Sequence, residues 1–111
     1  ERYPVVNVSY DEAMAYCDWL SSRDDAHQYR LPSEYEWILA AGHMPKDVNM
    51  NANFVESGLT PVDAYAGSVG NCGGIDFWGN SWEWTSTTNA SGQYLVKGGS
   101  WDLRKKFILL F

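Results

Sequence analysis

GGIDFWGNSWEWT, running from Gly73 to Thr85, holds three of the six tryptophans of the chain (Trp78, Trp82 and Trp84) beside Asp76, Asn80 and Glu83. Glycines at 73, 74 and 79 exclude a regular helix here. In an extended or looped backbone Trp82 and Trp84 share one face, and Glu83 points to the other. The tryptophan face belongs in a core. The oxygen-bearing face suits a hard cation of the calcium type, which takes several oxygens from carboxylates, amides and main-chain carbonyls. The competing reading is a tryptophan-rich core turn whose polar residues cap their own backbone, since the spacing is not that of an EF-hand.

Outward from this stretch the pattern alternates between short elements and long connections. On its N-terminal side lie a brief extended segment, Pro61 to Tyr65, and a glycine-rich turn, Ser68 to Gly74, that contains Cys72. On its C-terminal side a polar connection, Ser86 to Gly92, leads to a strand from Gln93 to Lys97. The adjacent Gly98 and Gly99 imply a bulge or a close backbone approach. The terminal FILLF is an unbroken apolar run that must be buried as a strand or be a sticky end. Further upstream, Tyr3 to Val8 reads as a short strand entering a helix. Ser9 with Glu12, and Ser33 with Glu36, are two capping boxes. The first helix runs from Tyr10 to about Ser22, with Ala13, Tyr16, Cys17 and Leu20 on a buried face. The second runs from Ser33 to Ala41 and stops at Gly42. Glu34 and Glu36 serve the helix dipole better than acid–base chemistry. Pro45 to Leu59 lacks periodicity and reads as a long loop held by asparagine amides.

The chain has 111 residues, enough for one domain with one core. A net charge of −6, with only Arg104, Lys105 and Lys106 clustered among the basic residues, argues against nucleic acid as the main partner. No window reaches the ~18 apolar residues of a membrane span, and ERYPVV lacks the charged start and apolar stretch of a secretory signal. Cys17 and Cys72 lie outside any CxxC or zinc spacing, and they leave the compartment open.

Taken together, YPVVNVSYDEAMAYCDWL, YRLPSEYEWILAA, TPVDAY, GNSWEWT and VKGGSW resemble the formylglycine-generating enzyme family, the sulfatase-modifying factors, from about Tyr3 to Trp101. The resemblance implies an α+β, C-type-lectin-like fold: two helices on a small antiparallel sheet with long loops, often with bound calcium. It implies one such domain over residues 1–111, and the family adds segments before Tyr3 and after Trp101. One family calcium site corresponds to the side chain of Asp76, main-chain oxygens of Gly79 and Ser81, and the carboxylate of Glu83. Asp76 stands where asparagine is usual and supplies the same oxygen with added charge. A second family site would use Asn53 and the carbonyl of Phe54, with further ligands from a loop that is cut short here before Thr60.

The departures from the family pattern bear on activity. Active members carry two cysteines a few residues after GGS, where they bind copper(I); soft thiolates suit that ion. The matching positions here are Leu103 and Ile108, and no cysteine occurs from Trp101 to Phe111. The reading that follows is a non-catalytic domain binding a protein or carbohydrate ligand through Ser86, Thr87, Asn89, Trp101, Asp102 and Arg104. The alternative is part of a formylglycine-generating oxidase, or of a relative of the sulfoxide synthases, with the metal held elsewhere.

Overall fold

The computed structural model describes residues 2–44, 52–53 and 58–101. The element order is α1 (Tyr10–Arg23), α2 (Glu34–Ala41), β1 (Glu83–Thr88) and β2 (Tyr94–Lys97), which is the α+β class expected from the sequence. Both helices begin as the capping boxes dictate. Ser9 Oγ accepts from Glu12 N at 3.1 Å and Ser33 Oγ from Glu36 N at 3.1 Å, while each glutamate reaches back to the amide of its serine. A serine cap contributes about 1 kcal/mol to a helix. Arg30 forks onto Glu36 with two hydrogen bonds of 2.7 Å, so the second cap is also an ion pair. Gly42, with φ 71°, ends α2 and returns its N–H to the carbonyl of Ile38.

β1 and β2 form an antiparallel hairpin in the register Glu83 with Lys97, Trp84 with Val96 and Thr88 with Tyr94, with an irregularity between Trp84 and Thr88. Asn89 closes its turn, accepting from the amides of Ser91 and Gln93 at 2.9 Å each, an Asx turn that needs no φ-positive pair. α2 packs on both strands. The core sits between them: Trp37, Ala41, Ala52 and Val96 are buried, with Thr85 fully enclosed and bonded to the carbonyl of Leu95. Trp37 is the centre of an aromatic cluster, edge-on to Phe77 and to Trp78. At the other end of the hairpin Tyr10 stacks on Tyr94 and meets Trp84 edge-on, and the Trp84 indole donates to the carbonyl of Val8 at 3.0 Å. The start of α1 is thereby tied to the sheet.

Gly79 and Gly98 are where the backbone is pulled closest. Both have positive φ, and Gly79 N donates to Gly98 O at 2.7 Å. A Cβ at Gly79 would lie 2.5 Å from the carbonyl oxygen of Asn53, and one at Gly98 would strike the carbonyl of Phe77. No other residue fits either position without moving main chain.

Four local expectations are corrected. Ser86 to Thr88, expected as the start of a polar connection, belong to β1. Tyr3 to Val8 is not a strand, because Pro4 has no N–H to donate and Asn7 turns the chain at φ 58°; the ladder-like bond nearest to it, Val62 N to Arg2 O at 2.7 Å, is made by the residue before it. Pro61 to Tyr65 is a run of turns rather than extended chain, with Ala64 N returning to Pro61 O. Tyr16, placed on the buried face of α1 by its spacing, is 60% exposed. Pro45 to Asn51, Phe54 and the terminal FILLF lie outside the described residues. No described helix is long and apolar enough to cross a membrane.

Candidate functional site

Asp76 and Glu83 lie at two ends of one loop, and the positive φ of Asp76 (67°), Gly79 (79°) and Asn80 (65°) coils that loop inward. Three left-handed residues among five, two of them non-glycine, are an uncommon conformation that needs external support. Asn80, 2% exposed, supplies much of it. Its Oδ1 accepts from Thr60 N at 2.9 Å and from Asn53 Nδ2 at 3.0 Å; its Nδ2 donates to Thr60 O and to Asp76 Oδ2, both at 3.0 Å. Asn80 N bonds to Asn53 O at 2.8 Å, and Asn80 O receives the amide of Trp101 at 3.0 Å. A buried amide with every donor and acceptor used holds one loop geometry against many alternatives.

The two carboxylates are less comfortable. Asp76 Oδ1 is buried and has no hydrogen-bond partner. Burial raises the Asp76 carboxyl above its ordinary range, against the lowering effect of the Asn80 hydrogen bond. Burial likewise pushes the Glu83 carboxyl up to about 7; the indole N–H of Trp37, which donates to Glu83 Oε2, opposes that rise, and the neighbouring Asp76 charge adds to it. An orphaned buried oxygen and a second carboxylate that feels its charge form a place where a cation would relieve both. The donor set suits calcium: two carboxylates, with main-chain oxygens of Gly79 and Ser81 between them in sequence. Among the described residues no group of three or more acidic, histidine or cysteine side chains could hold a metal, so the remaining ligands would have to be carbonyl oxygens and water. Gly79 O already accepts from Ser81 N at 2.9 Å, which leaves one lone pair for an ion. The Trp78 indole N–H is also buried without a partner in this loop.

Asn53, the side chain named above for a second family site, is anchored through its amide nitrogen. It is fully buried, and its Nδ2 faces the oxygens of Gly58, Thr60 and Asn80 at 3.0–3.1 Å, which ties the loop ends together.

Beside the loop a groove of about 930 Å³ opens. Pro4 to Val8, Trp82, Glu83, Trp84, Val96 and Trp101 are among the residues that line it. Of the residues singled out as ligand contacts, Trp101 lines this groove. Ser86 donates its amide and hydroxyl to Pro32 O, Thr87 Oγ1 accepts from Glu34 N at 2.9 Å, and Asn89 holds the hairpin turn. Ser86 and Thr87 thus tie β1 to the start of α2. Asp102 and Arg104 lie outside the described residues. Sequence reasoning set Asn80 beside the two carboxylates but did not find the contacts by which Asn80 shapes the loop and Trp37 touches Glu83. Nothing in local spacing marks them, because their partners are 20 and 46 residues away.

The match to known proteins agrees with this arrangement. The model of the sulfatase-modifying factor enzyme 1-like domain matches residues 1–109. The chain is 34% identical over 125 aligned residues to the inactive C-alpha-formylglycine-generating enzyme 2 of Mus musculus, covering 88% of this chain and 37% of the relative. It is 31% identical over 99 residues to the hercynine oxygenase of Mycobacterium tuberculosis, covering 76% of this chain and 22% of the relative. It is 33% identical over 107 residues to the formylglycine-generating enzyme of the same organism, covering 77% and 33%. The chain thus spans well under half the length of these relatives. With the motifs, the α+β architecture and this match over nearly its whole length, the chain belongs to the sulfatase-modifying factor enzyme 1-like domain family.

Proposed function

We propose that this domain is a non-catalytic binding module, in which a calcium ion at Asp76 and Glu83 stiffens the loop that forms one side of the groove, and the groove takes a protein or carbohydrate ligand. The observation that carries the reading is the pairing of an intact scaffold with Leu103 and Ile108 at the positions where the family's copper thiolates belong. Neither Leu103 nor Ile108 offers the soft thiolate that copper(I) takes. Similarity to proteins named as inactive formylglycine-generating enzyme 2 in two mammals supports the same direction. Aromatic side chains of Trp82 and Trp101 beside polar Asn7 and Ser81 are surfaces that suit sugar faces or peptide side chains.

The test is a glycan and peptide binding screen of the native protein, with Trp101→Ala as the control for binding through the groove. Ligands lost in that variant support the reading; no ligand for the native protein counts heavily against it. The likeness to a hercynine oxygenase favours a second reading, in which the same scaffold shapes a substrate groove for metal-binding residues elsewhere in the native protein. Oxidation of a thiol substrate by the native protein, dependent on added copper or iron, would establish that reading in place of the first.

A further inference from the structure

α1 is long for the little that it buries. None of its 14 residues is buried. Ala13, Cys17 and Leu20 lean half-buried toward the body of the domain, while two of the largest side chains of the helix face water, Tyr16 at 60% and Trp19 at 51% exposure. The two rings touch, with centroids 5.8 Å apart, and the Arg23 guanidinium lies 5.1 Å above the Trp19 ring. A pre-arranged tyrosine, tryptophan and arginine cluster is the composition of interface hot spots rather than of solvated helix faces.

The stripe has a definite order. Glu12, Tyr16, Trp19 and Arg23 follow one another at intervals of four, three and four, the spacing of a coiled-coil seam. All four are exposed, and so are Ala15 and Ser22 on one flank, both small enough to let a second helix approach to the ~8–10 Å of packed pairs. The ends of the stripe carry opposite charges and its middle is aromatic. Such a stripe is complementary to itself when reversed. A twofold axis crossing α1 between Cys17 and Asp18 sets Glu12 opposite Arg23 of a second copy, and Tyr16 opposite Trp19 of that copy.

We propose that the outward face of α1 is a self-association surface, on which a second copy of this chain lays its own α1 antiparallel through Glu12, Tyr16, Trp19 and Arg23. A helix of this length is about 21 Å long. One such pair covers less than the roughly 800 Å² per partner of a standard stable interface, so the dimer is weak and depends on concentration.

Sedimentation velocity of the native protein over a concentration series tests this, with circular dichroism confirming that each variant is folded. The expected result is a monomer–dimer equilibrium that Trp19→Ala and Arg23→Glu each weaken by about tenfold or more. Arg23→Glu and Glu12→Arg should each be monomeric alone, and their equimolar mixture should recover a heterodimer, because both cross-pairs are then restored. Glu12→Arg also breaks the first capping box; if it fails to fold, the comparison of the native protein with Trp19→Ala and Arg23→Glu decides. A native protein that stays monomeric throughout, or a dimer indifferent to both of those substitutions, overturns the proposal.

Discussion

Glu83→Gln replaces a buried carboxylate with an amide of the same shape that still accepts from the Trp37 indole, and its effect should reverse sign with calcium. Without a cation, the folded state holds the Glu83 carboxyl at about 7, raised from 4.5, chiefly by burial. A carboxyl whose pKa is raised on folding stabilises the fold below its unfolded value, and that contribution is lost as pH rises through the folded value. Above pH 7 the ionised group therefore costs the metal-free protein roughly 3 kcal/mol, at 1.36 kcal/mol per pKa unit. The glutamine carries no such cost, so in chelator the variant should melt higher than the wild type. Calcium changes this. At about hundredfold excess over its dissociation constant a ligand stabilises the native state by about 2.7 kcal/mol, roughly 10 °C in a domain of this size. The wild type should gain that increment, and the variant, left with Asp76 as its one carboxylate, should gain little. Differential scanning calorimetry of both proteins in calcium and in chelator, at a pH above the Glu83 value, reads all four numbers. If the wild type melts identically in both and a metal assay finds no ion, Asp76 and Glu83 are loop caps. If the variant is the less stable protein in chelator, the account of Glu83 as a strained buried charge is wrong.

Other expectations follow from the same contacts. Asn80→Ala takes the amide partner from Thr60 N, Thr60 O and Asp76 Oδ2 and should cost about 3 kcal/mol or more in urea unfolding, since each buried group left unpaired costs about 1–3 kcal/mol. Trp37→Phe keeps an aromatic ring in the core but removes the N–H that holds Glu83; it should raise the Glu83 pKa further, measurable by carboxyl-resolved NMR titration, where an unchanged value would deny the contact. Glu36 is held at about 2 by the Arg30 fork, far below its ordinary 4.5. Its contribution is present above 4.5 and lost as pH falls toward 2, so Arg30→Met should flatten the acid limb of a stability–pH profile and leave its neutral region the less stable.

Both helices could be read from the chain to within one residue, because a capping box is a local device: Ser9 with Glu12 and Ser33 with Glu36 satisfy each other's backbone within a single turn. The Trp82–Glu83–Trp84 alternation did not place the tryptophans in the core: Trp82 and Trp84 are half-buried on the groove, while Glu83 is the residue that meets Trp37. The segments that failed depend on distant partners. Tyr3 to Val8 has strand composition but joins no sheet among the described residues, and Tyr16 has core spacing but faces water.

By itself, then, the sequence determined the two helix caps, the family and the absence of cysteine at Leu103 and Ile108, each read from short motifs. Only the tertiary structure decided that Asn80 and Asn53 knit three loops together, that Ser86 and Thr87 tie β1 to the start of α2, and that an oxygen of Asp76 is buried without a partner. Burial and hydrogen-bond satisfaction depend on which groups arrive from elsewhere in the chain, and desolvation, which sets the Glu83 carboxyl near 7, exists only once they have arrived.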